Sequence, residues 1–164
     1  MKELLIIRSV SFQQLDKNIV AIKEEFKDYN INLLTHEHGV KLAEKYKWIK
    51  NIYTYPYKDS FKYRNKVNEL KDKRFEIVII PVTNITGAGF LNVLNYSLSI
   101  KARKRIICNV VSELKEVNIP QILFMNMKSI LISVVSLICT FISSLIIGLF
   151  LPIFLFFIKK EDIN

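Results

Sequence analysis

The feature that most constrains this chain is a run of thirty residues, Ser129 to Ile158, without a charged side chain or any Asn, Gln or His. A soluble core helix of that length nearly always carries a charge, so the run predicts a membrane segment. As a helix it would span about 45 Å, whereas the hydrocarbon core is about 30 Å thick. The segment must therefore tilt, bend at Gly148 or Pro152, or fold back. One tilted span and a re-entrant hairpin both remain open.

The distribution of charge predicts how this anchor is oriented. All but two of the 24 Lys and Arg precede Ser129, in a chain of net charge +9. The positive-inside tendency and the absence of a signal-peptide cleavage site near the start place the preceding domain in the cytoplasm, on the inner membrane. Its basic surface is expected to face an anionic leaflet rather than nucleic acid.

Before the anchor, short runs rich in β-branched residues alternate with helical patterns. This alternation is typical of βαβ units and predicts an α/β fold, a single Rossmann-like, doubly wound parallel sheet of about five strands. The predicted strands are 4–8, 31–35, 51–55, 76–82 and 105–110, and the helical patterns are 12–29, 37–48, 58–75 and 88–100.

Four segments follow from these patterns. They are a Rossmann-like domain at 1–111, a juxtamembrane linker or interfacial helix at 112–128, the membrane segment at 129–158 and a short polar tail at 159–164. Pro120 is suited to the first turn of a helix. Cys108 falls in a buried strand and Cys139 in the membrane segment, so neither a disulfide nor a zinc site is expected.

Three turns follow predicted strands and should meet at one edge of the sheet: 8–14 (RSVSFQQ), 35–39 (THEHG) and 83–89 (TNITGAG). In the last turn, Gly87 and Gly89 would let backbone amides approach a ligand, and the following helix would favour an anion. A tight turn without a ligand is the alternative for these glycines.

The histidines of the second turn invite a metal interpretation. His36 and His38 flank Glu37, and alternation at a strand end would place both imidazoles on one side. A third ligand is not visible in the sequence, so capping and solvated loop roles are favoured over a metal. No metal and no cofactor are therefore expected.

The order of these pieces resembles the N-terminal half of the heptosyltransferase family (glycosyltransferase family 9), bacterial GT-B glycosyltransferases with two facing Rossmann-like domains. The resemblance runs from Lys2 to about Val110. The pieces that carry it are KELLIIRSVS, YNINLLTHEHGVKLAEKYKWIKNIYTYP, VNELKDKRFEIVIIPVTNITGAG and SLSIKARKRIICN. In that family the N-terminal half mainly receives the acceptor sugar, and the C-terminal half holds the nucleotide-sugar donor. The anchor begins where the interdomain linker would lead, so donor binding transfers to no residue here.

The opening turn departs from the family pattern. The family has a turn like RLSSLGD, whose aspartate is regarded as the catalytic base. Alignment on Arg8 places Gln13 and Gln14 at its last two positions. A glutamine cannot accept a proton as a carboxylate does, which leaves Asp16, two residues later, as the only candidate for a catalytic base.

The sequence thus supports two hypotheses. The first is a membrane-anchored, glycosyltransferase-like acceptor half in cell-surface polysaccharide or glycolipid biosynthesis, which holds a sugar or lipid-linked acceptor and needs a separate donor-binding chain. The second is a non-catalytic membrane-anchored adaptor or sugar-binding scaffold of envelope synthesis. The expected ligand contacts are Ser9, Ser11, Gln14, Thr83, Asn84, Thr86, Gly87 and Gly89.

Overall fold

A computed structural model describes the backbone of residues 2–161 and the side chains of residues 2–152. The chain divides into two compact units, Met1–Leu123 and Phe124–Asn164. The last three residues of the predicted polar tail lie outside the described residues.

The first unit alternates strands and helices along the chain. Its elements are β1 (Lys2–Ile7), α1 (Phe12–Glu25), β2 (Tyr29–His36), α2 (Glu37–Ala43), β3 (Ile49–Tyr55), β4 (Arg74–Pro81), α3 (Leu91–Ser97), β5 (Lys101–Cys108) and β6 (Leu114–Glu116), with a 3₁₀ turn at Asn68–Leu70. The helix α4 (Ile119–Glu161) begins in the first unit, and most of its length belongs to the second.

The strands form one Rossmann-like sheet in the order β3-β2-β1-β4-β5-β6, in which the first five strands are parallel and β6 is antiparallel to β5. The sheet has six strands, so the prediction of about five was one short. The sixth, β6, lies in the segment that the sequence assigns to the linker. Three residues of mixed polarity, LKE, are too few to show the alternation by which a strand is recognised.

The core lies on both faces of this sheet because strand residues alternate. On one face, Leu4 and Ile6 of β1 pack in a cluster with Leu15 and Ile19 of α1. On the other, Tyr96 of α3 contributes to a group of aromatic rings described below. The arrangement agrees with crossovers on both sides of the central strand.

The connection between β3 and β4 differs from its prediction. The sequence pattern suggested a helix over 58–75, but the structure has only the 3₁₀ turn Asn68–Leu70 there. The buried side chains of this connection are Phe61, Val67 and Leu70. Phe61 and Val67 are six residues apart, so they cannot share one face of a helix. The connection is instead irregular, and Phe61 packs against the rings of Tyr55 and Tyr96.

The second unit is part of α4, the one helix in the described part of the chain that is long and apolar enough to cross a membrane. The helix passes Gly148 and Pro152 without a turn, so the described residues contain no re-entrant hairpin. Hydroxyl groups inside the apolar run donate to the carbonyl four residues earlier, as a low-dielectric surrounding requires. Those hydroxyls belong to Ser133, Thr140 and Ser144. By length and composition, α4 is therefore a candidate membrane span, which agrees with the predicted membrane segment, and it begins next to Pro120, as predicted.

Candidate functional site

A cleft of about 500 Å³ lies beyond the carboxyl ends of the strands, where the chain leaves β1 toward one side of the sheet and β4 toward the other. In open α/β sheets this reversal of strand order is where ligands are usually held. Side chains from the ends of three strands and from the start of α3 form its walls. Its polar lining includes Arg8, Ser9, Ser11, His36, His38 and Thr83.

The predicted contacts divide between this cleft and its surroundings. Ser9, Ser11, Thr83 and Gly89 line the cleft. Ser9 Oγ donates to the Pro81 carbonyl, which ties the end of β1 to the end of β4. Ser11 caps α1, because its Oγ accepts from the backbone N–H three residues on, at 3.2 Å.

Gln14 faces away from the cleft. Its Nε2 donates to Asn18 Oδ1 at 3.1 Å and to the Val110 carbonyl at 3.2 Å. Asn18 is fully buried and donates to the Asn109 carbonyl at 2.7 Å. Gln14 thereby belongs to a network that joins α1 to the end of β5.

Three other predicted contacts build the glycine turn itself. Asn84 Oδ1 accepts from the Gly87 N–H at 2.6 Å, and Asn84 Nδ2 donates to the Ala88 carbonyl at 2.5 Å. Thr86 Oγ1 accepts from the Ala88 N–H at 3.4 Å. The amide of Gly87 is therefore occupied within the turn, and only Gly89 among the two glycines lines the cleft.

The two glycines differ in what surrounds them. Gly87 has a φ of +75°, and a Cβ there would lie 3.1 Å from Ile107 Cδ1. Gly89 has a φ of +84° and nothing within 4 Å of a Cβ. The tight-turn alternative describes Gly87, while the space beside Gly89 is open to a ligand.

Asp16, the candidate base, lies on α1 and is not among the residues that line the cleft. Its Oδ1 accepts from the Tyr46 hydroxyl at 2.6 Å. Burial, together with this carboxylate, raises the pKa of Tyr46 to about 12. No Asp or Glu occurs among the described residues of the cleft lining.

Arg8 is the functional candidate that sequence reasoning missed. Its Nε donates to Thr35 Oγ1 at 2.7 Å, and its Nη1 donates to the Val10 carbonyl at 3.1 Å. Its Cζ lies 4.8 Å from the centre of the Phe12 ring. The only sequence signal is its position, a cation directly after a buried strand and at the binding edge of the sheet.

Gly39 explains how Arg8 is held so close to β2. A Cβ at this buried position in α2 would lie 2.3 Å from Thr35 Oγ1 and 3.2 Å from Arg8 Nη2. No side chain fits at that distance. The glycine in the THEHG turn is therefore required for the close approach of α2 to the Arg8–Thr35 pair, a role different from anion binding.

The two histidines form the remaining wall. Their ring centroids are 5.6 Å apart, and Arg8 Nη2 lies 3.2 Å from His38 Nε2. Because a guanidinium only donates, His38 Nε2 can only be the acceptor of this pair. Burial lowers the pKa of His36, and the nearby Arg8 and His38 act in the same direction despite a contact with the Asp59 carbonyl.

The ring of His36 packs against aromatic side chains rather than against acidic ones. It lies 5.0 Å from Tyr55 and 4.7 Å from Phe61, centroid to centroid. Tyr96 of α3 contacts both of those rings. In the described part of the chain, no group of three or more His, Cys, Asp or Glu is placed to hold a metal.

Neither a protein-family model nor a curated protein matches this chain. The resemblance to the heptosyltransferases therefore stays a prediction.

Proposed function

We propose that this protein is a membrane-anchored, glycosyltransferase-like domain whose cleft holds the sugar part of a ligand in cell-surface polysaccharide or glycolipid assembly. The observation that supports this proposal is the cleft at the strand-order reversal, lined by hydroxyl groups from separate loops. Ser11, Thr83 and Asn92 offer polar groups, and the partly buried Phe90 offers ring surface beside them. A concave site with aromatic surface and a few convergent polar groups suits a small polyhydroxylated ligand.

The proposal assigns the acceptor side of a transfer reaction to this chain. In such a step an acceptor hydroxyl loses a proton, its oxygen bonds to the anomeric carbon of the donor, and the nucleotide leaves with its bonding electrons. A positioned base normally takes the proton. We assign donor binding to a separate chain. The described lining of the cleft holds no carboxylate, so the base also belongs to that chain unless Asp16 supplies it.

The anchor sets the substrate class within this proposal. A helix long enough to cross the bilayer keeps the domain at a membrane surface, where lipid-linked acceptors are concentrated. The charge distribution favours the cytoplasmic face of the inner membrane, because the basic residues precede the apolar run.

The test is isolation of the detergent-solubilised full-length protein from its own cells, with mass spectrometry of co-purifying proteins and lipids. The proposal expects a chain shaped like a lone donor-binding domain, together with a glycolipid or sugar-bearing lipid. With that partner added, Asp16→Asn should abolish turnover if Asp16 is the base, whereas the matched change Asp28→Asn at an exposed site should not. Retained turnover in Asp16→Asn would move the base to the partner.

A non-catalytic adaptor is the second candidate, and the absence of a carboxylate from the described cleft lining favours it. An adaptor would co-purify with complete envelope-synthesis enzymes, would bind the sugar ligand, and would leave their turnover unchanged when the cleft is blocked.

A further inference from the structure

The charge of Arg8 lacks a counter-ion among the residues that the structure describes. The side chain is half-buried, and burial lowers its pKa without any carboxylate contributing. Among the described residues, no carboxylate lies within 4.0 Å of its guanidinium; the described ion pairs involve other cations. Partial burial of a cation without a compensating anion costs stability.

Two N–H groups of the Arg8 guanidinium remain without a hydrogen-bond acceptor among the described residues. A guanidinium has five N–H groups. Three are directed to Thr35, the Val10 carbonyl and His38. One N–H on each terminal nitrogen therefore has no acceptor within the described residues, and Arg8 lines the cleft. Two N–H groups on adjacent nitrogens suit two oxygens of one anion.

The groups around Arg8 in the cleft also favour an anion. The first turn of α1, a helix of 14 residues capped by Ser11, begins beside the same cleft and presents the positive end of its dipole. The rings of His36 and His38, whose centroids are 5.6 Å apart, line the same cleft, and an imidazole N–H can donate to an anion. A group with several charged oxygens engages the guanidinium, the helix start and an imidazole together.

We propose that the cleft takes a phosphoryl group of its ligand, held by Arg8 with His38 beside it. This inference rests on the proposed function, because it specifies that the sugar ligand is phosphorylated. Two sources present the same chemistry: a water-soluble sugar phosphate and the phosphoryl head of a membrane lipid that carries the sugar.

The experiment uses full-length protein in phosphatidylcholine nanodiscs, at constant ionic strength, with calorimetric titration of three probes: inorganic phosphate, a hexose 1-phosphate and the uncharged hexose. Arg8→Gln should weaken both phosphorylated probes about tenfold or more, because a charge-assisted pair of hydrogen bonds is lost. The uncharged hexose should be unaffected. Arg64→Gln removes the same charge from an exposed position outside the cleft and should change nothing.

A second variant tests the cleft without changing Arg8, because Arg8 also joins β1 to β2 and its loss could unfold the domain. Thr83→Trp places bulk at an exposed position of the cleft wall and leaves the contacts of Arg8 with Thr35 and Val10 in place. It should abolish binding of all three probes. Phosphate binding that survives in both variants, or that is absent in the wild type, overturns the inference.

The outcomes separate this inference from the proposed function. Hexose binding without phosphate binding would overturn the phosphoryl site and keep the sugar cleft. Arg8-dependent phosphate binding, with the hexose 1-phosphate no tighter than inorganic phosphate, would keep the phosphoryl site and overturn the sugar cleft. Nanodiscs that also contain a polyprenyl phosphate distinguish the sources, because a lipid occupant competes with the hexose 1-phosphate and a soluble one does not.

Discussion

The two ends of β1 hold charged groups in opposite situations. Glu3, near the start of the strand, accepts from Asn30 Nδ2 at 2.9 Å, from Asn32 Nδ2 at 2.7 Å and from Lys50 Nζ at 2.8 Å. Arg8, just past the end of the strand, has a hydroxyl, a carbonyl and an imidazole as partners and no carboxylate among the described residues. One charge is compensated within the fold, and the other is not.

The pKa of Glu3 reflects this compensation. Burial acts to raise it, but the hydrogen bonds from Lys50, Asn32 and Asn30 together bring it down to about 2. The ionised carboxylate is thus stabilised by the folded state, so its role is structural. An uncompensated cation contributes no such stability, which agrees with the ligand anion that we propose for Arg8. The amino edge of the sheet thus has a charge that stabilises the fold, and the carboxyl edge has the charge on which the proposed binding rests.

Gly39→Val should have the largest effect, because it attacks the carboxyl edge where packing is tightest. The new side chain would overlap Thr35 Oγ1, which a Cβ would already approach to 2.3 Å, and so displace Arg8. We expect a loss of about 2–3 kcal/mol in the free energy of unfolding, typical of overpacking. Trp48, the single tryptophan, packs on the core of the first unit and reports its unfolding by fluorescence.

Lys41→Val in the same helix is the matched control, since it adds a β-branched residue at an exposed position. It should cost only the helix propensity, about 0.5 kcal/mol. Equal stability of Gly39→Val and Lys41→Val would show that α2 moves away freely and that the placement of Arg8 does not depend on Gly39.

Glu3→Gln should have the next largest effect, at the amino edge. The folded-state pKa of Glu3 lies below the unfolded value, so its contribution is complete above about pH 4.5 and is lost as the pH falls toward about 2. We expect the variant to be less stable by about 1–2 kcal/mol at pH 7, with the two proteins converging in stability at the acid end of that range. Denaturation at a series of pH values measures this, with Glu24→Gln on α1 as the exposed control. A constant difference across that range would place the stabilisation in packing instead of in the charge.

The outline of the fold was predictable because it depends on local patterns. Residues 77–81 of β4 are apolar throughout, and α1 shows the helical spacing of Leu15, Ile19 and Ile22, so a few neighbouring residues are enough to recognise each of these elements. The strand β6 was not predictable, since its three residues acquire a strand conformation only by pairing with β5.

The candidate site was predictable only in part, for the same reason. The turns that carry Ser9, Ser11 and Thr83 meet where the strand order places them. The placement of Arg8 depends on Thr35, which is 27 positions away in the chain, and on the room left by Gly39. Gln14 and Asn84 are polar residues of the same turns, yet Gln14 joins α1 to the end of β5 and Asn84 closes its own turn. Sequence alone does not separate these structural uses from ligand binding.

Thr35→Val should have a smaller effect, because it keeps the shape and removes only the acceptor of Arg8 Nε. Thr35 is fully buried, so the lost hydrogen bond leaves an N–H without a partner and should cost about 1 kcal/mol. Thr54→Val is the matched control, as Thr54 lies opposite Thr35 in the β2–β3 ladder and is less buried. If both variants unfold at the same denaturant concentration, the Arg8–Thr35 bond contributes nothing measurable.

Lys50→Met should have the smallest effect, and it separates the cation from the amides at the amino edge. The Lys50 side chain is 50% exposed, so solvent and salt screen its attraction to Glu3, and an exposed ion pair contributes about 0.5 kcal/mol or less. Asn30 and Asn32 remain in the variant, and Asn32 is fully buried, so most of the stabilisation of the carboxylate should persist. The small loss should vanish in high salt, whereas the cost of Glu3→Gln should not. A loss in Lys50→Met as large as that of Glu3→Gln would mean that a single surface cation, Lys50, stabilises the carboxylate of Glu3. The amino edge would then depend on one exposed charge, as we propose that Arg8 at the carboxyl edge depends on the charge of a ligand.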